Sequence, residues 1–291
     1  MHLTLIETGG TICMTAGPNG LRPAPEKVAA ALAQIAPGLT LDHLKLDPLI
    51  DSADLGPAIW NALLDRIAAA PGPVIVTHGT DTMAFTGAAL DAALAGQGRL
   101  HQSRVVVLTG SMHPLGVAGS DAEGNLVLAI ETALDAEPGL HLAFGGKVLP
   151  AGAVSKQHSQ DVAAFVPAGD PAAPPAPPTR RFDTGKSLGL VTLTPGLAPR
   201  VLTAALGALD GAVLRVFGAG TMPAALAQTL MAVKGKPMIA VSQCLRGGLE
   251  PGAYAAGAPL WAAGVENGGQ MSAEQALARL WLRLSATPPT A

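Results

Sequence analysis

The chain is short of charge, aromatic rings and cysteine. Lys and Arg total 18 against 21 Asp and Glu, so only 13% of the 291 residues are charged and the net charge is −3. No basic surplus exists to neutralise a phosphate backbone, which argues against nucleic acid as a partner. Aromatic residues are 3% of a chain that is 49% hydrophobic, so small aliphatic side chains must build the core. Two cysteines, Cys13 and Cys244, make neither a disulfide framework nor a four-cysteine zinc site. The histidines show no HExxH or comparable spacing, so no metal or other cofactor is implied. Gly218-Ala219-Gly220 lacks the third glycine and the acidic residue of a dinucleotide fingerprint. The longest uncharged run, 216–233, is broken by Gly218, Gly220 and Pro223, and reads as strand, turn and helix rather than a membrane span. The first residues carry no basic segment leading into an apolar one, so a cytoplasmic protein that does not engage a membrane is expected.

What is present is alternation. Short apolar runs at 3–7, 44–50, 73–77, 104–109, 188–193, 212–217 and 237–241 read as strands. Alanine-rich stretches at 25–35, 57–69, 82–95, 121–135, 199–209, 223–233 and 272–284 read as helices. Residues 140–149, around Gly145-Gly146, read as a β-hairpin. Strand–helix alternation predicts an α/β fold with a mainly parallel sheet flanked by helices. The segment 167–178 holds six prolines and can be neither helix nor central strand. It divides the chain into a larger N-terminal catalytic α/β domain (1–166), a proline-rich linker (167–186) and a smaller C-terminal α/β domain (187–291).

The N-terminal strand candidates share a feature. Each ends in polar residues on a tight turn: Thr8-Gly9-Gly10-Thr11, Asp51-Ser52, His78-Gly79-Thr80-Asp81-Thr82 and Gly110-Ser111-Met112. In an open parallel sheet the carboxyl ends of the strands lie on one edge, where ligands bind. Thr11, Ser52, Thr80, Asp81 and Ser111 should therefore gather there. Helix capping accounts for any one of these turns taken alone, Thr80-Asp81-Thr82 best of all. Capping does not account for Gly9-Gly10-Thr11, because Ile12-Cys13-Met14 starts no obvious helix. The following segment, 15–25, is rich in glycine and proline and reads as a mobile flap over a site. His78 and His113 are expected to be structural hydrogen-bonders, and Cys13 and Cys244 buried small residues.

These turns carry a resemblance. ETGGTI around Thr11 and THGTDTM around Thr80 resemble the two signature motifs of the bacterial-type L-asparaginases. DSADL around Ser52, TGSMHP at 109–114, GSDAEGNL at 119–126 and VSKQHSQDVAAF at 154–165 follow in family order. The C-terminal stretch from SQCLRGG onward is similar to the cytoplasmic members, so the likeness spans essentially the whole chain.

The resemblance implies that Thr11 attacks the side-chain amide of L-asparagine, releasing ammonia and leaving an acyl-enzyme that water resolves to aspartate. It implies a second group of Thr80, Asp81 and Lys156. Thr80 would orient the attacking water and offer its N–H to the oxyanion, with Lys156 as base through Thr80. That role needs an unprotonated amine, which burial favours and a nearby Asp81 carboxylate opposes. Ser52 would bind the substrate α-carboxylate and Asp81 its ammonium, while Gly10, Asp51, Gly79 and Ser111 complete the substrate-binding turns. It also implies a homodimer or homotetramer. Three departures from the family pattern keep other readings open. Residues 15–25 hold no tyrosine where well-studied members have one, and the single tyrosine is Tyr254. Ala53 stands where many members have glutamine, and Thr221 where they often have asparagine. The alternatives are a broader amidase or glutaminase, and a catalytically weak amino-acid-binding homologue. A tRNA-dependent amidotransferase subunit would need a basic surface this chain lacks.

Overall fold

The computed structural model describes residues 2–18, 20–24, 26–95, 104–170 and 181–286. The chain divides into two compact units, Met1–Pro167 and Ala168–Ala291. Half of the expected proline-rich linker, 171–180, lies outside the described residues.

The first unit is built on a six-stranded sheet of β1 (His2–Glu7), β4 (Thr40–Lys45), β5 (Val74–Thr77), β6 (Val105–Thr109), β7 (Gly139–Phe144) and β8 (Lys147–Pro150). Their spatial order is β4-β1-β5-β6-β7-β8, and every pairing is parallel except the hairpin β7–β8. Helices α1 (Lys27–Ile35), α2 (Pro57–Ala69), α3 (Met83–Ala95) and α4 (Ala122–Asp135) supply the crossovers. Val28 and Leu32 of α1 and Leu126, Ala129 and Ile130 of α4 pack on Leu3, Leu5, Ile75 and Val107 of the sheet, a cluster without an aromatic ring, whereas Trp60, Phe144 and Phe165 are buried elsewhere in the unit. Helix α3 is buried nearly all round rather than along one stripe, so alanine and glycine let two neighbours approach it at once.

One sequence expectation in this unit needs correction, and two features add to the expected elements. The strand expected at 44–50 sits at Thr40–Lys45. The apolar run misled because the chain stays against β1 beyond the strand, with Leu46 N–H donating to Glu7 O and Ile50 N–H to Thr8 O. The stretch expected as a flap is an antiparallel hairpin, β2 (Met14–Gly17) and β3 (Gly20–Pro23). A second antiparallel pair, β9 (Val154–Lys156) and β10 (Phe165–Pro167), was not foreseen.

The second unit repeats the architecture on a smaller scale. Strands β11 (Leu188–Thr192), β12 (Gly211–Val216), β13 (Met238–Ser242) and β14 (Glu266–Asn267) form an all-parallel sheet in chain order. Helices α5 (Pro199–Ala208), α6 (Ala227–Ala232), α7 (Ala258–Ala262) and α8 (Ala273–Ser285) accompany it. The helix expected at 223–233 is a 3₁₀ turn followed by the short α6. Ser272 caps α8 in a reciprocal box with Gln275. Among the described residues no helix is long and apolar enough to cross a membrane.

Candidate active site

The register of the first sheet brings the motif turns level. Glu7 pairs with Thr77 and Thr77 with Thr109, so β1, β5 and β6 end together. The ladder continues one residue further, with Thr8 N–H donating to Thr77 O (3.1 Å) and His78 N–H to Thr109 O (2.9 Å). The turns leave the sheet from there.

Glycine lets those turns touch. Gly10, at φ +86°, lies against Gly79 so closely that a Cβ would stand 2.5 Å from its Cα and N. A Cβ on Gly79 would stand 2.6 Å from Ser52 Oγ, and one on Gly9 2.2 Å from Ile50 O. Gly10 and Gly79 are thus adjoining backbones, and the residues that follow them are Thr11 and Thr80. Thr11 opens a 3₁₀ turn (Thr11–Cys13) and is half-buried. Ser52 is buried, opens the 3₁₀ turn Ser52–Asp54, and accepts from Thr82 Oγ1 through its carbonyl at 2.6 Å. Asp51 accepts from Ala53 N–H at 3.0 Å and so caps its own turn.

Lys156 arrives from 76 residues away. Its Nζ donates to Thr80 Oγ1 at 2.8 Å and to Asp81 Oδ1 at 2.7 Å. The lysine side chain is 16% exposed and the aspartate 72%, so the pair has a buried cation and an outward-facing carboxylate. The approach depends on glycines outside the motifs. A Cβ on Gly87 of α3 would stand 2.3 Å from Ala151 O, and one on Gly152 2.4 Å from Asp91 Cγ. The turn Ala151–Ala153 therefore lies directly on α3, and β9 runs from it to Thr80 and Asp81 near the start of the same helix. Sequence reasoning missed Gly87 and Gly152; glycine inside a helical pattern was the signal that could have found one of them.

His78 is fully buried, and burial pushes its pKa down to about 4, so it is a neutral imidazole at neutral pH. Nδ1 faces Gly79 O at 2.6 Å and Nε2 faces Thr86 Oγ1 at 2.8 Å. A carbonyl can only accept, so the proton belongs on Nδ1, and Thr86 donates to Nε2. Trp60 Nε1–H in turn donates to Thr86 Oγ1 at 3.1 Å. The chain of donors fixes the Gly79 carbonyl inward. In a trans peptide N–H and C=O point opposite ways, so the Thr80 N–H is directed away from His78. His78 is thus a structural hydrogen-bonder, as expected.

Ser111 is also buried, and its hydroxyl donates to His113 O within its own turn. That turn is organised by Asp121, which accepts from the N–H groups of Met112 and His113, and by Asn125, whose Nδ2 donates to Gly110 O at 2.9 Å. Cys13 is buried as expected, whereas Cys244 is exposed; the short polar turn after β13 leaves it in solvent. A cavity of about 140 Å³ lies on the hairpin side of the motif turns, lined by Gly10, Cys13, Met14, Pro23, Ile50 and Asp51 among others. Among the described residues no group of three or more His, Cys, Asp or Glu is placed to hold a metal ion.

A parallel sheet whose strand-end turns present hydroxyls beside a lysine–carboxylate pair defines the class: a two-unit α/β protein with its candidate site at the carboxyl ends of the strands. Residues 2–176 match the family model for the asparaginase N-terminal domain and 188–291 that for the glutaminase/asparaginase C-terminal domain. The chain belongs to the asparaginase family. It is 31% identical to the L-asparaginase of Thermococcus kodakarensis, over 99% of this chain and 94% of that one. It is 29% identical to L-asparaginase 1 of Escherichia coli, over 96% and 90% respectively. The solved thermostable L-asparaginase from Thermococcus kodakarensis superimposes with a TM-score of 0.82 at 29% identity, covering 99% of this chain and 94% of that chain.

Proposed function

We propose that the protein is an L-asparaginase, hydrolysing the side-chain amide of L-asparagine to L-aspartate and ammonia. One observation carries the reading: Lys156 Nζ holds both Thr80 and Asp81, on a turn whose Gly79 abuts the Gly10 that precedes Thr11.

In the proposed reaction Thr11 Oγ attacks the amide carbon of asparagine, and its proton passes to the departing nitrogen. The carbon–nitrogen bond breaks, ammonia leaves, and an ester on Thr11 remains. Water, oriented by Thr80, then cleaves the ester to free aspartate and restore the hydroxyl. The fixed Gly79–Thr80 peptide supplies an N–H for the oxyanion. Asp81 has one oxygen on Lys156 and an exposed face for the substrate ammonium. Lys156, held on Thr80 Oγ1, acts as the base through Thr80. Ser52 meets the α-carboxylate, Asp51, Gly79 and Ser111 shape the turns around it, and no cofactor takes part. A homodimer or homotetramer is proposed on the family likeness. The exposed free thiol of Cys244 supports a reducing, cytoplasmic setting.

The test is ammonia release from asparagine by wild type and Thr11→Ala. We expect at least a thousandfold loss of kcat, of the size seen when a covalent nucleophile is removed, with Tm unchanged. Full activity in the variant sinks the assignment of Thr11. A second reading, a broader amidase, is favoured by Ala53, which offers no side-chain contact to an amino group. A higher kcat/KM for glutamine, or for an amide without an α-amino group, would replace the narrow claim with that one.

A further inference from the structure

A second set of ionisable groups lies behind Thr11 and has no part in the reaction as written. Glu7 ends β1, shortly before the Gly-Gly-Thr turn, and its carboxylate is fully buried. His43 pairs with Leu5 across β1–β4 and Lys45 with Glu7, so Glu7, His43 and Lys45 share one face of the sheet. His43 Nε2 stands 3.1 Å from Glu7 Oε1 and Nδ1 3.2 Å from Glu26 Oε2. Lys45 Nζ takes the other oxygen of Glu26 at 2.6 Å. Glu26 is the N-cap of α1 and follows the hairpin; at φ 76° it is the one non-glycine residue with positive φ among the described residues. One imidazole therefore joins the two ends of the segment that carries Thr11 and the β2–β3 hairpin.

We propose that His43 is a positioning residue, the proton-dependent centre of a Glu7–His43–Glu26 clamp that holds the nucleophile turn and the hairpin root against β4. His43 Nε2 and both Glu7 oxygens make no hydrogen bond, so the contacts act through charge: an imidazolium stands as a cation between two carboxylates. A neutral ring carries no charge, and one of its nitrogens turns a lone pair toward an anion. With the proton in place, Glu7, His43, Glu26 and Lys45 are neutral as a group; without it, a negative charge remains at a buried site. Burial already raises the proton affinity of the Glu7 carboxyl above the ordinary carboxylate range. The other groups facing Glu7 do not compete for that proton. Cys13, pushed up to about 12 by burial and by Glu7 itself, stays a thiol. The Ala29 amide of α1 only donates, and Thr77 on β5 is uncharged. Asp47, beyond β4, faces Lys45. The clamp therefore tightens when His43 carries both ring protons and loosens when it gives one up.

The clamp stands on geometry alone, whereas its effect on turnover rests on the proposed function. The test therefore reads both. Hydrogen exchange of amides 14–22, corrected for the intrinsic rate, is followed at about pH 6 and about pH 8.5 in wild type, His43→Gln and Glu26→Gln. Glu26→Gln alters an exposed side chain, 62% accessible, and spares the core. We expect wild-type protection to fall about tenfold at the higher pH, as the two ion pairs lose their shared cation. Both variants should show the lower protection at either pH. Equal wild-type protection at the two pH values, or variants that match wild type, overturns the clamp. KM for asparagine should rise with pH in wild type and stay flat in Glu26→Gln, with kcat unchanged in that variant. Exchange that responds while KM does not leaves the clamp standing and removes the hairpin from substrate binding.

Discussion

Both units carry a parallel sheet crossed by helices, yet they end their strands differently. In the first, β1, β5 and β6 finish level and give way to Gly-Gly-Thr, His-Gly-Thr-Asp and Gly-Ser turns packed backbone against backbone. In the second, polar side chains at the strand ends turn back onto carbonyls. Ser242 Oγ donates to Gly218 O at 2.7 Å, and Gln243 Nε2 bridges Leu193 O and Arg215 O. Every histidine of the chain precedes residue 168, and the second unit has none. Hydroxyls also turn back onto carbonyls in the first unit, Thr8 onto Thr77 O and Ser111 onto His113 O, so what sets that unit apart is Lys156 Nζ joining Thr80 and Asp81 at the turns, not the architecture.

The largest expected effect falls on chemistry in the first unit only. Lys156→Met should lower kcat about 10²–10⁴-fold, the usual range for loss of a general base. Gln243→Ala should leave kcat within about twofold and cost the second unit about 1–3 kcal/mol, because Leu193 O loses its donor while Arg215 O keeps the Leu193 N–H. Steady-state kinetics beside urea unfolding checks the pair, and equal losses of kcat would erase the contrast.

Glycine gives the next test. Gly10→Ala adds a methyl 2.5 Å from the Gly79 backbone at a φ of +86°. It should destabilise the first unit by about 2–4 kcal/mol, left-handed strain and overpacking together. Gly218→Ala, at φ +45° with open space around it, should cost about 1 kcal/mol. Matching shifts in the two variants would mean that the turn contact contributes nothing.

The smallest effect is one of pH. The pKa of His78 falls from its ordinary 6.5 to about 4 on folding, so the unfolded chain takes up the proton first. The stability its neutral form contributes is complete above pH 6.5 and is lost as pH falls through 4. The loss reaches about 3 kcal/mol for a group this buried. Hydrogen exchange resolved by unit should show the first unit weakening over that interval and the second unaffected by it. His78→Gln should flatten the slope, and an unchanged slope would assign the pH dependence to other groups.

How much of this was legible from sequence follows from range. Strand ends on one edge are a rule of parallel sheets, so Thr11, Ser52, Thr80, Asp81 and Ser111 could be grouped before any coordinates. The placement of β4 could not, because an apolar run beyond the strand still lies against β1 and imitates one. Nor could the hairpin, whose residues Thr15, Ala16, Leu21 and Arg22 carry no clear alternation. Nor could the grouping of Glu7, His43 and Glu26, since nothing local shows that a carboxylate at a strand end is buried.

By itself the sequence determined the period of its apolar runs, and through it the α/β class. It also determined which turns would carry hydroxyls beside glycine, because hydrophobic spacing and backbone permissiveness are local properties. The tertiary structure alone decided that Lys156 meets Thr80 and Asp81, that His78 is neutral, and that His43 stands between two carboxylates. Those outcomes depend on packing across tens of residues, where a missing Cβ or a lost water shell sets which charges can approach.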